Sequence, residues 1–379
     1  MARGVVDHHR QEGPVGLFHE RPGIGLFDDV GVRVDGGEAH GVPLHEVVRA
    51  RIRRGRNHRK GAGCDVFACA TAVPPQSCRA FRQRLHCRSS LKNPIKEGRN
   101  PMANEHVGMV GPGRMGYAML KHLIKKGFPV TVTDINPENV KRAEAAGAKS
   151  VPGAAALGKA CGFVIIAVGF DDEALSVALG TNGLLSAMKP GGVIAVCSTV
   201  APETVQRIEA EAAKSGVDVL DAPICRGGWA ADEGSLLALF GAKDEVVKRA
   251  RPIFSAFSSD IVHVGSVGHG QVAKTMNNML LWVNGIALME AGRLAESTGI
   301  KLPKLREALL MSSGNSAALE DWDMITFTWA LKDMQIVSKM ADSKNITMPI
   351  AGAIKEMVKD GKAMKQSGRA PDWTGNGKK

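Results

Sequence analysis

The sequence predicts an α/β domain with a parallel sheet, followed by an all-α domain. Three features lead to this prediction. Short apolar runs alternate with helical stretches from about residue 107, and a glycine-rich turn at residues 111–116 directly follows the first run. From about residue 267 onward, apolar residues recur at helical spacing. On this basis we expect one domain at residues 102–266 and a second at 267–379.

The composition is that of an ordinary soluble, globular protein. A chain of 379 residues with 44% hydrophobic content can form two domains with sizeable cores. Apolar runs such as residues 163–170 are shorter than the roughly 20 residues that span a bilayer, so no membrane partner is expected. Seven irregularly spaced cysteines, without a metal-binding pair or an apolar signal segment, predict a cytoplasmic protein without a metal site.

The positive charge of the chain is concentrated near its start. Residues 1–101 hold 18 Lys and Arg against 10 Asp and Glu, or +8 of the total of +11. The remainder is therefore nearly neutral, and we expect no nucleic-acid partner for it.

The first hundred residues show no sustained period of 2 or 3.6. Codons for Lys96-Glu97-Gly98 can read AAGGAGG, which resembles a bacterial ribosome-binding site at a sensible distance from a start codon at Met102. We therefore expect Met102 to be the physiological start, with residues 1–101 being untranslated upstream DNA read as protein. The alternatives are a disordered tail and a targeting peptide, and ten acidic residues argue against the second.

The first motif is a strand, a glycine turn and a helix. The apolar run His106–Val110 leads into the turn, and Ala118–Lys126 has helical spacing. In a Rossmann-type dinucleotide-binding domain the glycines permit a tight turn, close approach to a pyrophosphate and close helix packing, and the helix N-terminus favours phosphate. The predicted cofactor-binding residues of this turn are Gly111, Pro112, Gly113, Arg114, Met115 and Gly116.

An acidic residue follows the second strand. The run Pro129–Thr133 ends in Asp134, 23 positions after Gly111, where a carboxylate can accept hydrogen bonds from a ribose diol. Ile135 follows instead of an arginine that could pair with a 2′-phosphate, so NAD is favoured over NADP as the cofactor. The alternative is that Asp134 is a turn residue before Asn136.

Two more strands are expected at Gly162–Val168 and Gly192–Val196, separated by a helix over Asp172–Met188. This alternation predicts βα order throughout and a parallel sheet. Ser198 and Thr199 follow the later strand, at the edge of the sheet where ligands bind. Alternatively, one of them caps the next helix.

Four blocks in this order resemble the 3-hydroxyisobutyrate dehydrogenase family, also called β-hydroxyacid dehydrogenases, which are relatives of 6-phosphogluconate dehydrogenase. The resemblance runs from Val107 to the C-terminus. It implies a Rossmann domain, a helical C-terminal domain for substrate binding and dimerisation, and a homodimer or homotetramer. The four blocks are Gly111–Met119, Asp221–Ile224 with its trailing Gly234–Leu236, Gly268–Asn278 and Lys332-Asp333.

The resemblance implies an NAD(P)-dependent oxidoreductase acting on CH–OH groups. It would interconvert a small anionic 3-hydroxyacid and its semialdehyde or keto form, with Lys274 as general acid/base and Asn278 holding the substrate. At i and i+4 both side chains project from one helix face and can converge on one small molecule. A lysine accepts the hydroxyl proton only in its neutral form, which burial and neighbouring positive charge favour.

The second block departs from the family pattern. Relatives carry Ser-Gly-Gly where this chain has Cys225, Arg226 and Gly227, and the resemblance makes these three substrate-binding residues. Ser198 is expected to bind substrate as well, from its place at the carboxyl end of a strand. One hypothesis is that Arg226 binds a second or larger anionic group. The alternative is an Arg226 that points outward to an acidic neighbour such as Asp232.

The resemblance also implies further cofactor contacts. Val168, Gly169 and Thr199 would touch the nicotinamide half, and Lys332 would lie near the cofactor. The segment between Trp322 and Lys332 is about ten residues shorter than the family pattern leads us to expect. Helices of the second domain are expected at Gln271–Ser297, Pro303–Met311, Trp329–Ser343 and Pro349–Lys365.

Two other functions remain open at this point. The first is a reductase of another anionic carbonyl on the same fold, of the sulfolactaldehyde, threonate or phenylserine type. The second, more distant, is a non-catalytic nucleic-acid-binding relative, against which the presence of Lys274 and Asn278 argues. Lys274 also argues against a typical imine reductase.

Overall fold

A nine-stranded sheet runs through residues 107–265 of the computed structural model, which describes residues 105–377. The predictions for residues 1–101 lie outside the described residues. The strands are β1 (Val107–Val110), β2 (Val130–Thr133), β3 (Lys149–Ser150), β4 (Phe163–Ile166), β5 (Val193–Val196), β6 (Asp218–Asp221), β7 (Ile224–Cys225), β8 (Leu236–Gly241) and β9 (Ser258–Gly265).

The sheet is parallel over its first six strands. Its order is β3-β2-β1-β4-β5-β6-β8-β7, with β9 pairing beside β8. Strand β8 runs antiparallel to β6 and β7 and parallel to β9. The prediction of βα order throughout is therefore wrong between β6 and β7, which no helix separates. The prediction of a parallel sheet is wrong at β8, because residues 226–235 are fewer than the dozen or more that a parallel crossover requires.

Helices cover both faces of this sheet. They are α1 (Arg114–Lys125), α2 (Pro137–Ala145), α3 (Ala154–Ala160), α4 (Asp171–Leu179), α5 (Pro202–Ala213), α6 (Gly227–Glu233) and α7 (Asp244–Phe254). The helix predicted over Asp172–Met188 ends early, at Leu179, and a 3-10 turn follows at Leu184–Ser186. Glycines 180 and 183 lie between the two, and glycine is a poor helix former.

The part of the chain after β9 that the structure describes is helical. It contains α8 (His269–Ser297), α9 (Leu302–Leu310), α10 (Ala317–Glu320), α11 (Ala330–Ser343) and α12 (Pro349–Gln366). All four helices predicted here are present within a few residues of their expected ends. The predicted domain boundary at 266/267 falls in the loop between β9 and α8, and the division into two domains stays a prediction.

Three hydrophobic clusters hold these layers together. Strand β1 is buried on both sides, as expected for a central parallel strand, with Met109 in one cluster and Val110 in the other. The third cluster lies among the C-terminal helices and contains Trp282, Trp322 and Trp373. The helical part therefore has a core of its own.

A buried carboxylate fixes the start of α8 to the end of β6. Asp221 is fully buried, and its Oδ2 accepts hydrogen bonds from the backbone N–H groups of Gly268 (3.1 Å) and Gln271 (2.9 Å). Its Oδ1 accepts from the Gln271 side chain at 2.9 Å. Burial raises the pKa of Asp221 to about 7, against the opposing effect of the hydrogen bonds from Gln271 and Gly268.

This raised pKa predicts a pH-dependent stability. Between about pH 4 and pH 7 the folded state retains a proton that unfolded Asp221 has released, so this contribution to the free energy of unfolding falls as the pH rises. The free energy of unfolding of the wild type relative to Asp221→Asn should fall over this window by up to about 1.4 kcal/mol per pH unit, measured by urea denaturation.

The matched control is Asp232→Asn. That carboxylate is exposed, and its pKa is lowered by the Arg114 hydrogen bond, so the wild type should lose no stability relative to this variant between pH 4 and 7. A difference between the wild type and Asp221→Asn that stays constant or grows over the window would contradict the assignment.

Candidate active site

The glycine turn has the shape that a dinucleotide requires. Gly111 has a φ of +84°, and a Cβ there would lie 2.6 Å from the carbonyl oxygen of Ala167. A Cβ on Gly116 would collide with the carbonyl oxygen of Gly111, whereas one on Gly113 would meet nothing within 4 Å. No described side chain caps α1, so its first N–H groups are available to an anion. The turn therefore fits a pyrophosphate.

The side chain of Arg114 binds protein groups on the neighbouring helix α6. Its Nη1 and Nη2 donate to the Asp232 carboxylate at 3.0 and 2.5 Å, and Nη2 also lies 3.3 Å from the Gly228 carbonyl. Sequence reasoning placed Arg114 on the cofactor. The contacts seen instead connect the turn to α6.

A second arginine near the turn was missed. Arg142 of α2 donates to the carbonyl oxygens of Pro112 (3.0 Å) and Gly113 (3.3 Å), and its guanidinium lies 4.3 Å from the centre of the Tyr117 ring. These contacts brace the turn from outside. No motif in the sequence marks this position.

Asp134 lies at the carboxyl end of β2, as predicted. Its Oδ1 accepts from the backbone N–H of Asn136 at 2.8 Å, and its Oδ2 accepts from the Asn139 side chain at 3.0 Å. These are the contacts of a turn residue, the alternative considered above. A carboxylate has about four acceptor positions, so capacity for a ribose diol is left. Ile135 is fully exposed beside it.

The turns after β4 and β5 are connected by two kinds of contact. The backbone N–H of Val168 donates to the Ser198 hydroxyl at 2.8 Å. The Lys332 ammonium donates to the carbonyl oxygens of Gly169 (2.8 Å) and Thr199 (2.6 Å). Ser198 is buried and its hydroxyl accepts from Val168, which leaves the hydroxyl hydrogen as a donor, so the predicted contact between Ser198 and substrate stays a prediction.

Lys274 lies on the second turn of α8, close to two of the residues expected around it. Its Nζ is 3.7 Å from the Cys225 sulfur. Asn278 follows one turn later, buried, with its Oδ1 accepting from the Asn277 side chain at 3.1 Å. The structure thus brings Lys274, Cys225 and Asn278 together at the start of α8.

A buried carboxylate next to Lys332 completes this cluster. Asp333 is 5% exposed, and its Oδ2 accepts from the ring N–H of Trp282 at 2.9 Å. Burial raises the pKa of Asp333, and the Trp282 hydrogen bond and the charges of Lys274 and Lys332 oppose this shift. Burial lowers the pKa of Lys332, and the charge of Lys274 lowers it further. Both ammonium groups therefore lie close to one carboxylate.

Arg226 does not point into this cluster. Its Nη1 donates to Asp260 (2.6 Å), to the hydroxyl of Ser259 (2.9 Å) and to the carbonyl oxygen of Ser235 (3.0 Å). The hypothesis of a second anion held by Arg226 is not supported, and Asp232 is not its acidic partner. The φ of Arg226 is +83° and that of Gly227 is +72°, so the backbone turn keeps a conformation that favours glycine.

Aromatic side chains border the Lys332 ammonium. The half-exposed rings of Phe170 and Trp329 meet edge to face at 6.3 Å, and the Lys332 Nζ lies 5.7 Å from the centre of each. In the segment predicted to be short, Phe327 is buried with a φ of +57°, and its ring lies 5.4 Å from that of Trp282. The buried Phe327 therefore holds in place the segment that carries Trp329.

Residues 105–377 contain no group of three or more potential metal-binding side chains. Within the same range, no helix combines the length and the hydropathy needed to cross a membrane.

Two family models match the chain in succession. The NAD binding domain of 6-phosphogluconate dehydrogenase matches residues 106–265, and the NAD-binding model of NADP-dependent 3-hydroxyisobutyrate dehydrogenase matches residues 268–374. The first match covers the sheet and the second covers the helices from α8 onward.

The chain is also similar to curated dehydrogenases. An NAD-dependent L-serine dehydrogenase of Pseudomonas aeruginosa is 35% identical over 216 residues, which are 57% of this chain and 72% of the relative. A 2-(hydroxymethyl)glutarate dehydrogenase of Eubacterium barkeri is 30% identical over 270 residues, covering 68% and 89% of the two chains.

A solved structure shows the same fold. The 3-hydroxyisobutyrate dehydrogenase of Mycobacterium tuberculosis, solved with L-serine, superimposes with a TM-score of 0.65 at 23% identity, over 72% of this chain and 97% of that one. Taken together with the two models and the curated relatives, this places the chain in the 3-hydroxyisobutyrate dehydrogenase family of nicotinamide-dependent dehydrogenases.

Proposed function

We propose that this chain is an NAD-dependent dehydrogenase that interconverts a small β-hydroxyacid and its semialdehyde or keto form, with Lys274 transferring the proton. The observation that carries the proposal is the cluster at the start of α8. Lys274, Cys225 and Asn278 meet there, close to Lys332, which contacts the turns after both β4 and β5. The named activities of the relatives, on L-serine and 2-(hydroxymethyl)glutarate, support the substrate class.

The residues present fit a bound dinucleotide. The open space at Gly113 and the uncapped start of α1 would hold the pyrophosphate, and Asp134 would accept hydrogen bonds from the adenosine ribose. Ile135 stands where an arginine could pair with a 2′-phosphate, which favours NAD over NADP. When bound, the nicotinamide supplies the acceptor for the hydride.

In the oxidation, neutral Lys274 would accept the hydroxyl proton of the substrate while a hydride leaves the carbon that bears this hydroxyl for the bound nicotinamide. In the reduction, the Lys274 ammonium returns that proton to the carbonyl oxygen. The Asn278 amide, one helical turn away, hydrogen-bonds the substrate and restricts its orientation. Lys332, held by the carbonyl oxygens of Gly169 and Thr199, keeps these two turns together.

The charges at the site favour a substrate with a single carboxylate. Arg226 is the cation that sequence reasoning offered to a second acid group, and it is already paired with Asp260 and Ser259. Lys332 donates to two backbone carbonyls. Neither of these two cations is left for a second carboxylate, and Lys274 must be neutral to accept the proton, so we propose a monocarboxylic β-hydroxyacid.

Two finer predictions belong with this proposal. The first is a homodimer or homotetramer, which the exposed apolar side chains of Leu280 and Leu294 on α8 and Ile350 on α12 support. The second is a cytoplasmic location, for which the irregular cysteine spacing is the argument.

Removing the amine of Lys274 tests the proposal directly. In Lys274→Met, kcat for hydroxyacid oxidation should fall by about 10²–10⁴-fold, because general base catalysis contributes about that much. NADH affinity, measured by fluorescence titration, should stay within about threefold, because Lys274 is not among the residues proposed to hold the pyrophosphate. Lys339→Met changes an exposed lysine of α11 and should leave kcat unchanged. A Lys274→Met enzyme that keeps more than a tenth of wild-type turnover would contradict the proposal.

Arg226 offers a test of the proposed substrate charge. In Arg226→Ala, KM values for monocarboxylic and dicarboxylic hydroxyacids should each stay within about twofold, because the guanidinium faces Asp260. Arg226→Gly lacks the same guanidinium but relieves the positive φ, so it should be more stable than Arg226→Ala by about 1 kcal/mol in urea denaturation. A rise in KM confined to dicarboxylic substrates would return Arg226 to the substrate site.

A further inference from the structure

One amide side chain connects three separate segments beneath the candidate active site. Gln271, on the first turn of α8, is completely buried. Its Oε1 accepts from the backbone N–H of Val200 at 3.1 Å. Its Nε2 donates to the carbonyl oxygen of Ser198 and to Asp221 Oδ1, each at 2.9 Å. The segment after β5, the end of β6 and the lysine-bearing helix therefore meet at this one group.

The connection continues to the turn after β4. The hydroxyl of Ser198 accepts from the backbone N–H of Val168 at 2.8 Å. Val168, Ser198, Val200, Asp221 and Gln271 thus form a continuous chain of hydrogen bonds, here named the Gln271 relay. It runs from the turns on the proposed nicotinamide side to α8, where Lys274 lies one helical turn beyond Gln271.

The relay requires a glutamine at this position. A single side chain must supply one acceptor for the N–H of Val200 and two donor hydrogens, one for Ser198 and one for Asp221. A primary amide has this combination. A glutamate of equal length keeps the acceptor for Val200 but has no hydrogen for the carbonyl oxygen of Ser198 or for the Asp221 carboxylate. The amide cannot be reversed either, because its oxygen would then face the carbonyl oxygen of Ser198 and its NH2 group would face the N–H of Val200.

We propose that Gln271 is a positioning residue for the transfer step, fixing the distance between the nicotinamide-side turns and the Lys274 helix. This inference rests on the proposed function, because it needs Lys274 to be the proton-transferring group. Hydride and proton leave the same CH–OH unit, so the nicotinamide-side turns and Lys274 must both hold their places to within a fraction of an ångström. A misplacement of about 1 Å can slow such a step by about 100-fold.

The test compares Gln271→Glu with Gln206→Glu. Gln206 lies exposed on α5, with its Nε2 3.5 Å from the carbonyl oxygen of Val267, just before α8 and outside the relay. The measurements are kcat, KM for NAD and for the hydroxyacid, the stoichiometry of NADH binding, and the primary deuterium isotope effect on kcat with substrate deuterated at the carbinol carbon.

In Gln271→Glu we expect kcat to fall by about 10- to 100-fold while KM for NAD stays within about threefold. Each chain should still bind one NADH, and the isotope effect should be at least as large as in the wild type, because the transfer step itself is slowed. Gln206→Glu should match the wild type in every measurement.

Two results would overturn the inference. One is a kcat within threefold of the wild type. The other is a loss of kcat that matches a loss of NADH-binding chains, which a merely structural role would produce. If Gln271→Glu fails to fold, Ser198→Ala interrupts the relay at its hydroxyl without adding charge. A three- to tenfold fall in kcat with full NADH binding then supports the inference, and an unchanged kcat overturns it.

The outcome for Lys274→Met separates this inference from the function on which it rests. If Lys274→Met retains turnover, the proposed function fails and the relay has no catalytic group to position. If Lys274→Met is inactive while Gln271→Glu is normal, only the positioning role is overturned.

Discussion

The buried carboxylate of Asp221 is the contact on which the rest of the site depends. It receives N–H groups from the first residues of α8, and the same helix carries Lys274 and Asn278. A group this buried costs free energy unless its hydrogen bonds are made, so the helix start has little freedom to shift. Through Gln271 the constraint extends to Val200 and Ser198. These hydrogen bonds thereby fix the position of Lys274 relative to the turns on the proposed nicotinamide side.

The charge distribution of the site follows from the partners that its cationic side chains contact. Arg226 points out of the cluster and pairs with Asp260, and Lys332 donates to backbone carbonyls. The Lys274 amine meets the Cys225 sulfur, a weak partner that it can leave for a substrate hydroxyl. Asp333, buried near both lysines, balances part of their charge. Such an arrangement suits one carboxylate and one transferable proton.

The sequence predicted those features that follow from steric need or helical spacing. Gly111 and Gly116 are required because a Cβ would strike backbone, and Lys274 and Asn278 share a helix face at any tertiary arrangement. The direction of individual side chains could not be predicted from the sequence. Arg226 has Asp232 six positions away but pairs with Asp260, because its left-handed backbone aims the side chain toward β9. The antiparallel β8 likewise depends on a short connection that periodicity does not reveal.

A crystal structure of the ternary complex with NAD and a monocarboxylic β-hydroxyacid would show which group meets the substrate hydroxyl. We expect the Lys274 Nζ within about 2.6–3.2 Å of the substrate hydroxyl oxygen, with the carbinol carbon facing the nicotinamide ring. A complex in which Nζ remains against Cys225 while another acid or base, such as Asp333, contacts that hydroxyl would contradict this expectation.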